Sequence, residues 1–80
     1  MNVSMNVPLS ELPSGAKTVV RRLNVGSAAN RRLASMGVVV GSSIEVLQNR
    51  RHGPMLILVR DTRLALGRGE AGKIYVDDQG

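Results

Sequence analysis

Turn-forming residues interrupt this sequence at intervals of roughly 8 to 12 residues, and no other feature constrains its fold as strongly. The segments between the turns are short and rich in valine, leucine and isoleucine, which favours β-strands. An open sheet of such strands would leave its edges unprotected, so a small closed or nearly closed antiparallel barrel is expected. Five strands are predicted, at residues 16–25, 43–48, 55–59, 63–66 and 74–76.

Two of these strands carry further information. Apolar and polar residues alternate imperfectly along 16–25, which predicts a β-bulge. Residues 55–59 are apolar throughout, as in a strand that is covered on both faces. We predict a basic hairpin loop before this strand, at residues 49–54, and a turn at Asp61 and Thr62 after it.

One short helix is predicted after the first strand. Ser27 follows a glycine and could cap a helix that runs to about Met36, and Gly37 would end it. Ala29, Leu33 and Met36 share one helix face at spacings of four and three residues. This narrow apolar stripe can cover a barrel but cannot form a core alone.

A chain of 80 residues accommodates one domain, which we assign to residues 8–76. Residues 1–7 are interpreted as a loose leader or an added edge strand, and residues 77–80 as a frayed tail. Leu9 and Leu12, within an irregular segment between prolines, are predicted to plug one end of the barrel.

The residue types that catalysis and metal binding require are scarce. The sequence contains no cysteine, and its one histidine, His52, follows an arginine in a predicted loop. Its serines lack a neighbouring base, and its carboxylates match no metal-binding loop. We therefore predict no enzyme activity, metal site or cofactor. The N-terminal residues resemble neither a signal peptide nor a membrane span, which favours a cytoplasmic protein.

Residues 67–73, GRGEAGK, match a dinucleotide-binding pattern and most of a phosphate-binding loop. Such loops bind phosphate at the N-terminus of a following helix, but here Ile74 begins a predicted strand. Ile74 also replaces the serine or threonine that would hold magnesium. The segment is therefore predicted to be a glycine-rich connection.

The net charge of +5 favours an anionic partner, although solubility alone could explain it. Nucleic acid is one such partner, but Tyr75, the single aromatic residue, offers little surface for base stacking. Of the eleven basic residues nine are arginines. They include three adjacent pairs, Arg21 with Arg22, Arg31 with Arg32 and Arg50 with Arg51.

Residues 31–46, RRLASMGVVVGSSIEV, resemble the signature of the FeoA family of bacterial ferrous iron uptake proteins. The resemblance extends over almost all of residues 9–76 and implies a Src-homology-3-type barrel with a helix inserted after its first strand. Val40 stands where the family often has proline. The positions that carry the signature are Arg32, Leu33, Gly37, Gly41, Ile44 and Val46.

The resemblance implies a non-enzymatic accessory protein that docks on the cytoplasmic, GTPase-containing part of the ferrous iron permease. The same barrel occurs in iron-dependent repressors, where it can offer carboxylate ligands, and Glu70 is the position to test for that role. A nucleic-acid-binding barrel and a metal-sensing module are the alternatives. The candidate partner-binding residues are Arg31, Arg32, Leu33, Met36, Arg50 and Arg51.

Overall fold

The structure is a computed structural model that describes residues 5–50 and 52–78. Its strands are β1 (Asn6–Pro8), β2 (Lys17–Leu23), β3 (Ser43–Gln48), β4 (Met55–Val59), β5 (Thr62–Leu66) and β6 (Ile74–Asp77). Its helices are α1 (Ser27–Ser35), α2 (Arg68–Ala71) and a 3-10 turn (Leu9–Glu11). All strand pairs are antiparallel, in the order β1-β6-β2-β3-β4-β5. The predicted mainly β fold with a helix after its first long strand is confirmed, with one strand more than expected.

The extra strand, β1, lies within residues 1–7 and at the start of the predicted domain, and residues 1–7 were interpreted as either a loose leader or an added edge strand. It pairs with β6 from Asn6 opposite Asp77 to Pro8 opposite Tyr75. The frayed tail was predicted to begin at residue 77, which is one residue too early, because Asp77 is the last residue of β6. Residues 1–4 and 79–80 of the leader and tail lie outside the described residues.

Strand β2 joins the two halves of the sheet. Its first part, Lys17–Val19, pairs with β3, and its second part, from Val20 to Leu23, pairs with β6. The register shifts between Val20 and Arg22, which is the irregularity that the imperfect alternation predicts. The sheet therefore folds around a single core.

That core is aliphatic and takes fully buried side chains from every strand except β1, whose Val7 packs against it half-buried. Leu9 and Leu12 are 0% and 6% exposed, so they belong to the core, as the prediction of a plug requires. Strand β4 alternates between fully buried and half-buried residues, so only one of its faces is completely covered. The fully buried large side chains are Leu9, Leu33, Ile44, Met55, Ile57, Leu66, Ile74, Val20, Val38, Val46, Val59 and Val76.

Helix α1 ends as predicted but begins differently. Gly37 adopts a φ of +91°, which lets the chain leave the helix at a position where a side chain would be strained. The N-cap is Gly26, and no side chain caps the first turn. The expected capping role of Ser27 is wrong, because Ser27 is already the first helical residue.

Residues 67–73 connect β5 to β6 as predicted, but this connection contains the one-turn helix α2, which was not predicted. Ala71 is completely buried in the core, and Arg68 donates hydrogen bonds to the loop that precedes β4. These tertiary contacts order a segment whose glycines favour a flexible connection. Strand β6 follows at once, as expected from the sequence.

Candidate partner-binding surface

The two arginines predicted on α1 have different environments. Arg32 forms an ion pair with Glu70 and so links α1 to α2. Arg31 is exposed, and its side chain makes no hydrogen bond or ion pair with the described residues. Arg31 is therefore available to a partner, whereas Arg32 already has a role within the fold. Glu70, the position considered as a metal ligand, is engaged by the same ion pair.

Leu33 cannot form part of a contact surface. Its side chain is 0% exposed and packs in the core, so the prediction that it binds a partner is wrong. The helical stripe that contains Leu33 faces the barrel, which explains the error. Met36, at the end of the same stripe, is half-buried and packs against the edge of the core.

Arg50 is exposed in the loop between β3 and β4, and Arg51 lies outside the described residues. This loop is bound to α2 through Arg68, whose guanidinium donates to Asn49 Oδ1 at 3.0 Å and to the Arg50 carbonyl. Helix α2 is thus bonded both to α1 and to the loop that carries Arg50. The two predicted basic sites flank this short helix.

The first arginine pair is occupied within the sheet. Arg21 donates to both carboxylate oxygens of Asp77, at 2.8 and 2.7 Å, and these hydrogen bonds lower the pKa of Asp77 and raise the pKa of Arg21. The guanidinium of Arg22 lies 4.8 Å from the ring centre of Tyr75. The single aromatic ring therefore already has a cation on one face, which leaves less of it for base stacking.

Sequence reasoning missed a different surface around the turn between β4 and β5. This turn consists of Arg60 and Asp61, with φ angles of 50° and 62°, whereas a turn at Asp61 and Thr62 was predicted. Two-residue hairpin turns of this kind usually contain Asn-Gly or Asp-Gly, and Arg-Asp gives no such signal. The prediction was therefore one residue late.

Arg60 separates two shallow depressions on this surface. One is a groove of about 410 Å³ between the end of α1 and β5, lined by residues 34–37 with Arg60, Thr62 and Leu64, and we call it the α1–β5 groove. The other contains Val39 and Val40, which are 37% and 61% exposed. Three consecutive valines, at residues 38–40, could have indicated an apolar surface here. The sequence does not show that two of them are exposed.

The loop that carries these valines is well braced. The Ser42 hydroxyl donates to the Gly37 carbonyl at 2.8 Å and accepts a hydrogen bond from the Val39 N–H at 3.0 Å. The Gly41 N–H donates to the Val20 carbonyl of β2 at 2.8 Å. The exposed valines therefore project from a fixed turn.

Within residues 5–50 and 52–78, no three histidine or acidic side chains come close enough together to hold a metal ion. His52 is exposed. None of the helices in the described part of the chain has both the length and the apolar character needed to cross a membrane.

Comparison with known proteins agrees with this architecture. Residues 7–78 match the family model described as the FeoA domain. A protein from Methanocaldococcus jannaschii that carries the name Fe(2+) transport protein A is 38% identical over 71 residues, which are 89% of this chain and 85% of that protein. The crystal structure of an iron uptake regulatory protein (FeoA) superimposes with a TM-score of 0.85 at 41% identity, covering 91% of this chain and 97% of that one.

A manganese-dependent transcriptional repressor has the same fold over 98% of this chain and 44% of its own, with a TM-score of 0.85. At 22% identity this likeness concerns the fold alone. The family-model match, in contrast, covers residues 7–78, and the two relatives named above are 38% and 41% identical to this chain. The chain belongs to the FeoA family.

Proposed function

We propose that this protein is a non-enzymatic, cytoplasmic accessory protein of ferrous iron uptake that docks on the GTPase-containing part of the ferrous iron permease. The observation that carries the proposal is the match to the FeoA domain over residues 7–78. Relatives that align over most of their length are named for Fe(2+) transport and for iron uptake regulation. The proposal assigns no chemical step to the chain.

Charge supports a docking role. The net charge is +5. Arg31 on α1 and Arg50 in the loop between β3 and β4 are both exposed, and α2 is bonded to both of these elements. Exposed cations of this kind increase the rate of encounter with an acidic surface and add specificity. We therefore retain Arg31 and Arg50 as contact residues, with Arg51 as a candidate outside the described residues. Arg32 contributes through its ion pair and Leu33 only through the core.

The direct test is the affinity of the purified protein for the soluble GTPase domain of the permease, measured by calorimetry. The double variant Arg31→Glu/Arg50→Glu should weaken binding by roughly tenfold or more, because it reverses two charges that face an acidic partner. Lys17→Glu is the matched control, since it reverses an exposed charge in β2, opposite Glu45, and not on α1, α2 or the loop that carries Arg50. Absence of binding by the unmodified protein at high micromolar concentration would contradict direct docking.

No comparable observation supports the two alternatives, a metal-sensing module and a nucleic-acid-binding barrel. The carboxylate of Glu70 is engaged by Arg32, and the likeness to the repressor is one of fold. The Arg21 and Arg22 side chains, which a nucleic-acid interface would use, contact Asp77 and Tyr75.

A further inference from the structure

Strand β5 forms one edge of the sheet. Its hydrogen-bonded neighbour is β4, and among the described residues no backbone hydrogen bond joins its other side to another segment. Thr62 pairs with Val59 across a two-residue turn, so the hydrogen-bonded pairs fall at Thr62, Leu64 and Leu66. Arg63 and Ala65 consequently direct their N–H and C=O groups toward the open side. This edge can accept a further strand.

The opposite edge of the sheet is better protected. Strand β1 has three residues and includes Pro8, which lacks an N–H donor, whereas β5 has five residues and no proline. The single charged residue within β5 is Arg63. A second copy of β5 would place one Arg63 near another in a paired edge, which disfavours self-association and favours an acidic strand.

The two faces of an added strand would meet different surroundings. On one face lies the α1–β5 groove, where Leu64 and Met36 provide apolar contact and no acidic residue lines the wall. On the other face lie Arg63 and Ala65, which are exposed. Because side chains alternate along a strand, apolar residues would enter the groove and the intervening residues would face Arg63.

Two guanidinium groups at this edge have no partner within residues 5–50 and 52–78. The side chains of Arg60 and Arg63 form no hydrogen bond or ion pair with the described residues. Arg60 lines the groove, and both Arg60 and Asp61 line a separate depression that also contains Lys17 and Glu45. Both arginines are therefore positioned to bind carboxylates of an incoming segment.

We propose that the free edge of β5 and the α1–β5 groove bind an extended segment of a partner protein in which acidic and apolar residues alternate. The segment adds to the sheet as a strand, places its apolar side chains against Leu64 and Met36, and pairs its carboxylates with Arg63 and Arg60. Identification of this partner with the permease rests on the proposed function, but the recognition chemistry does not. The concave groove and the alternation along β5 favour a polypeptide over a flat lipid surface.

The test is a titration of the isotope-labelled full chain, followed by NMR amide shifts, with a peptide of alternating glutamate and valine about six residues long. A peptide of alternating lysine and valine is the charge control, and the permease GTPase domain is titrated in parallel. Arg63→Glu should weaken binding of the glutamate peptide by roughly tenfold. Ala65→Pro should do the same by removing an outward N–H that β4 does not use. Lys73→Glu should bind as the unmodified protein does.

Shifts confined to residues 34–40 and 60–66, seen with the glutamate peptide and not with the lysine peptide, support the proposal. If the peptide causes no shifts there while the GTPase domain binds elsewhere, the β5 site is wrong and the proposed function stands. If the peptide binds at β5 but the GTPase domain does not bind, the β5 site stands and the proposed function fails. Shifts of Val39 and Val40 with anionic lipid vesicles but not with the peptide would overturn the proposal in favour of a lipid surface.

Discussion

At the residue scale, the arginines divide into those that hold elements together and those that face solvent. Arg21, Arg32 and Arg68 bind groups far away in the sequence, and each contact joins separate elements. Arg22 covers the ring of Tyr75. The exposed arginines without a side-chain partner among the described residues are Arg31, Arg60 and Arg63. Arg60 and Arg63 supply the cations of the proposed strand-binding site, and Arg31, together with the exposed Arg50, supplies those of the proposed docking surface.

The ion pair between Arg21 and Asp77 should make stability depend on pH. Hydrogen bonds from Arg21 lower the pKa of Asp77 below its ordinary value of 3.8, so the folded state binds this proton less readily than the unfolded state. The stabilisation is therefore present above about pH 4 and is lost as the pH falls through the folded-state pKa. Asp77→Asn should be less stable than the unmodified protein at pH 7, and the difference in unfolding free energy should shrink in acid.

Denaturant titrations of both proteins between pH 7 and pH 2.5 measure this difference. Glu11→Gln is the matched control, because Glu11 is exposed and forms no ion pair with the described residues. A difference that stays constant across the pH range would mean that the variant acts through something other than the carboxylate.

Gly37 should be sensitive to the addition of a single methyl group. Its φ of +91° is strained for other residues, and a Cβ there would lie 3.2 Å from Arg60 Cδ. Gly37→Ala should therefore cost about 1–2 kcal/mol of unfolding free energy. Gly69→Ala is the control, since Gly69 lies in α2 with open space around it, and it should be neutral or slightly stabilising. Equal effects in thermal denaturation would argue against a special role of Gly37.

At the element scale, the segments that fold locally were the ones that sequence patterns predicted. Strands β3 and β4 have the predicted bounds, because alternation and flanking turn residues define them. Helix α2 and strand β1 were missed or left open, because each is ordered by contacts with distant residues: Ala71 packs in the core and Val7 pairs with Val76. The secondary-structure propensities of a short segment do not depend on such long-range contacts, so they could not predict these two elements.

The β4–β5 turn offers a test of strain within an element. Arg60 and Asp61 both have positive φ, a conformation that glycine adopts at little cost. Asp61→Gly should raise the unfolding free energy by up to about 1 kcal/mol, while Asp61→Val should lower it, because a β-branched residue is disfavoured at this φ. Denaturant titration of the two variants gives the comparison. Destabilisation by glycine would indicate that the Asp61 side chain itself stabilises the turn.

At the scale of the whole molecule, the barrel could be predicted and its surface could not. Turn spacing, strand composition and the FeoA signature each indicate the observed fold. The contact surface depends on which charged side chains find partners, and Glu70 and Asp77 lie 38 and 56 residues from the arginines that they bind. Arg32 was therefore predicted as a contact residue because it is basic, and Leu33 because it lies on the apolar face of the helix, although Leu33 belongs to the core. Arg60 and Arg63, which stand singly in the sequence, gave no signal.

The continuity of β2 across both halves of the sheet predicts that the molecule unfolds in one step. A small domain with one aliphatic core has no subset of strands that could bury its side chains alone. Loss of far-UV circular dichroism and change in Tyr75 fluorescence should therefore share one midpoint in denaturant, with an unfolding free energy of about 4–12 kcal/mol for a chain of this length. Tyr75 reports on the β2–β6 half, where it pairs with Arg22, and circular dichroism reports on the whole sheet. Two separate midpoints would mean that β3, β4 and β5 fold independently of β6, and that the bulge in β2 divides the barrel instead of joining it.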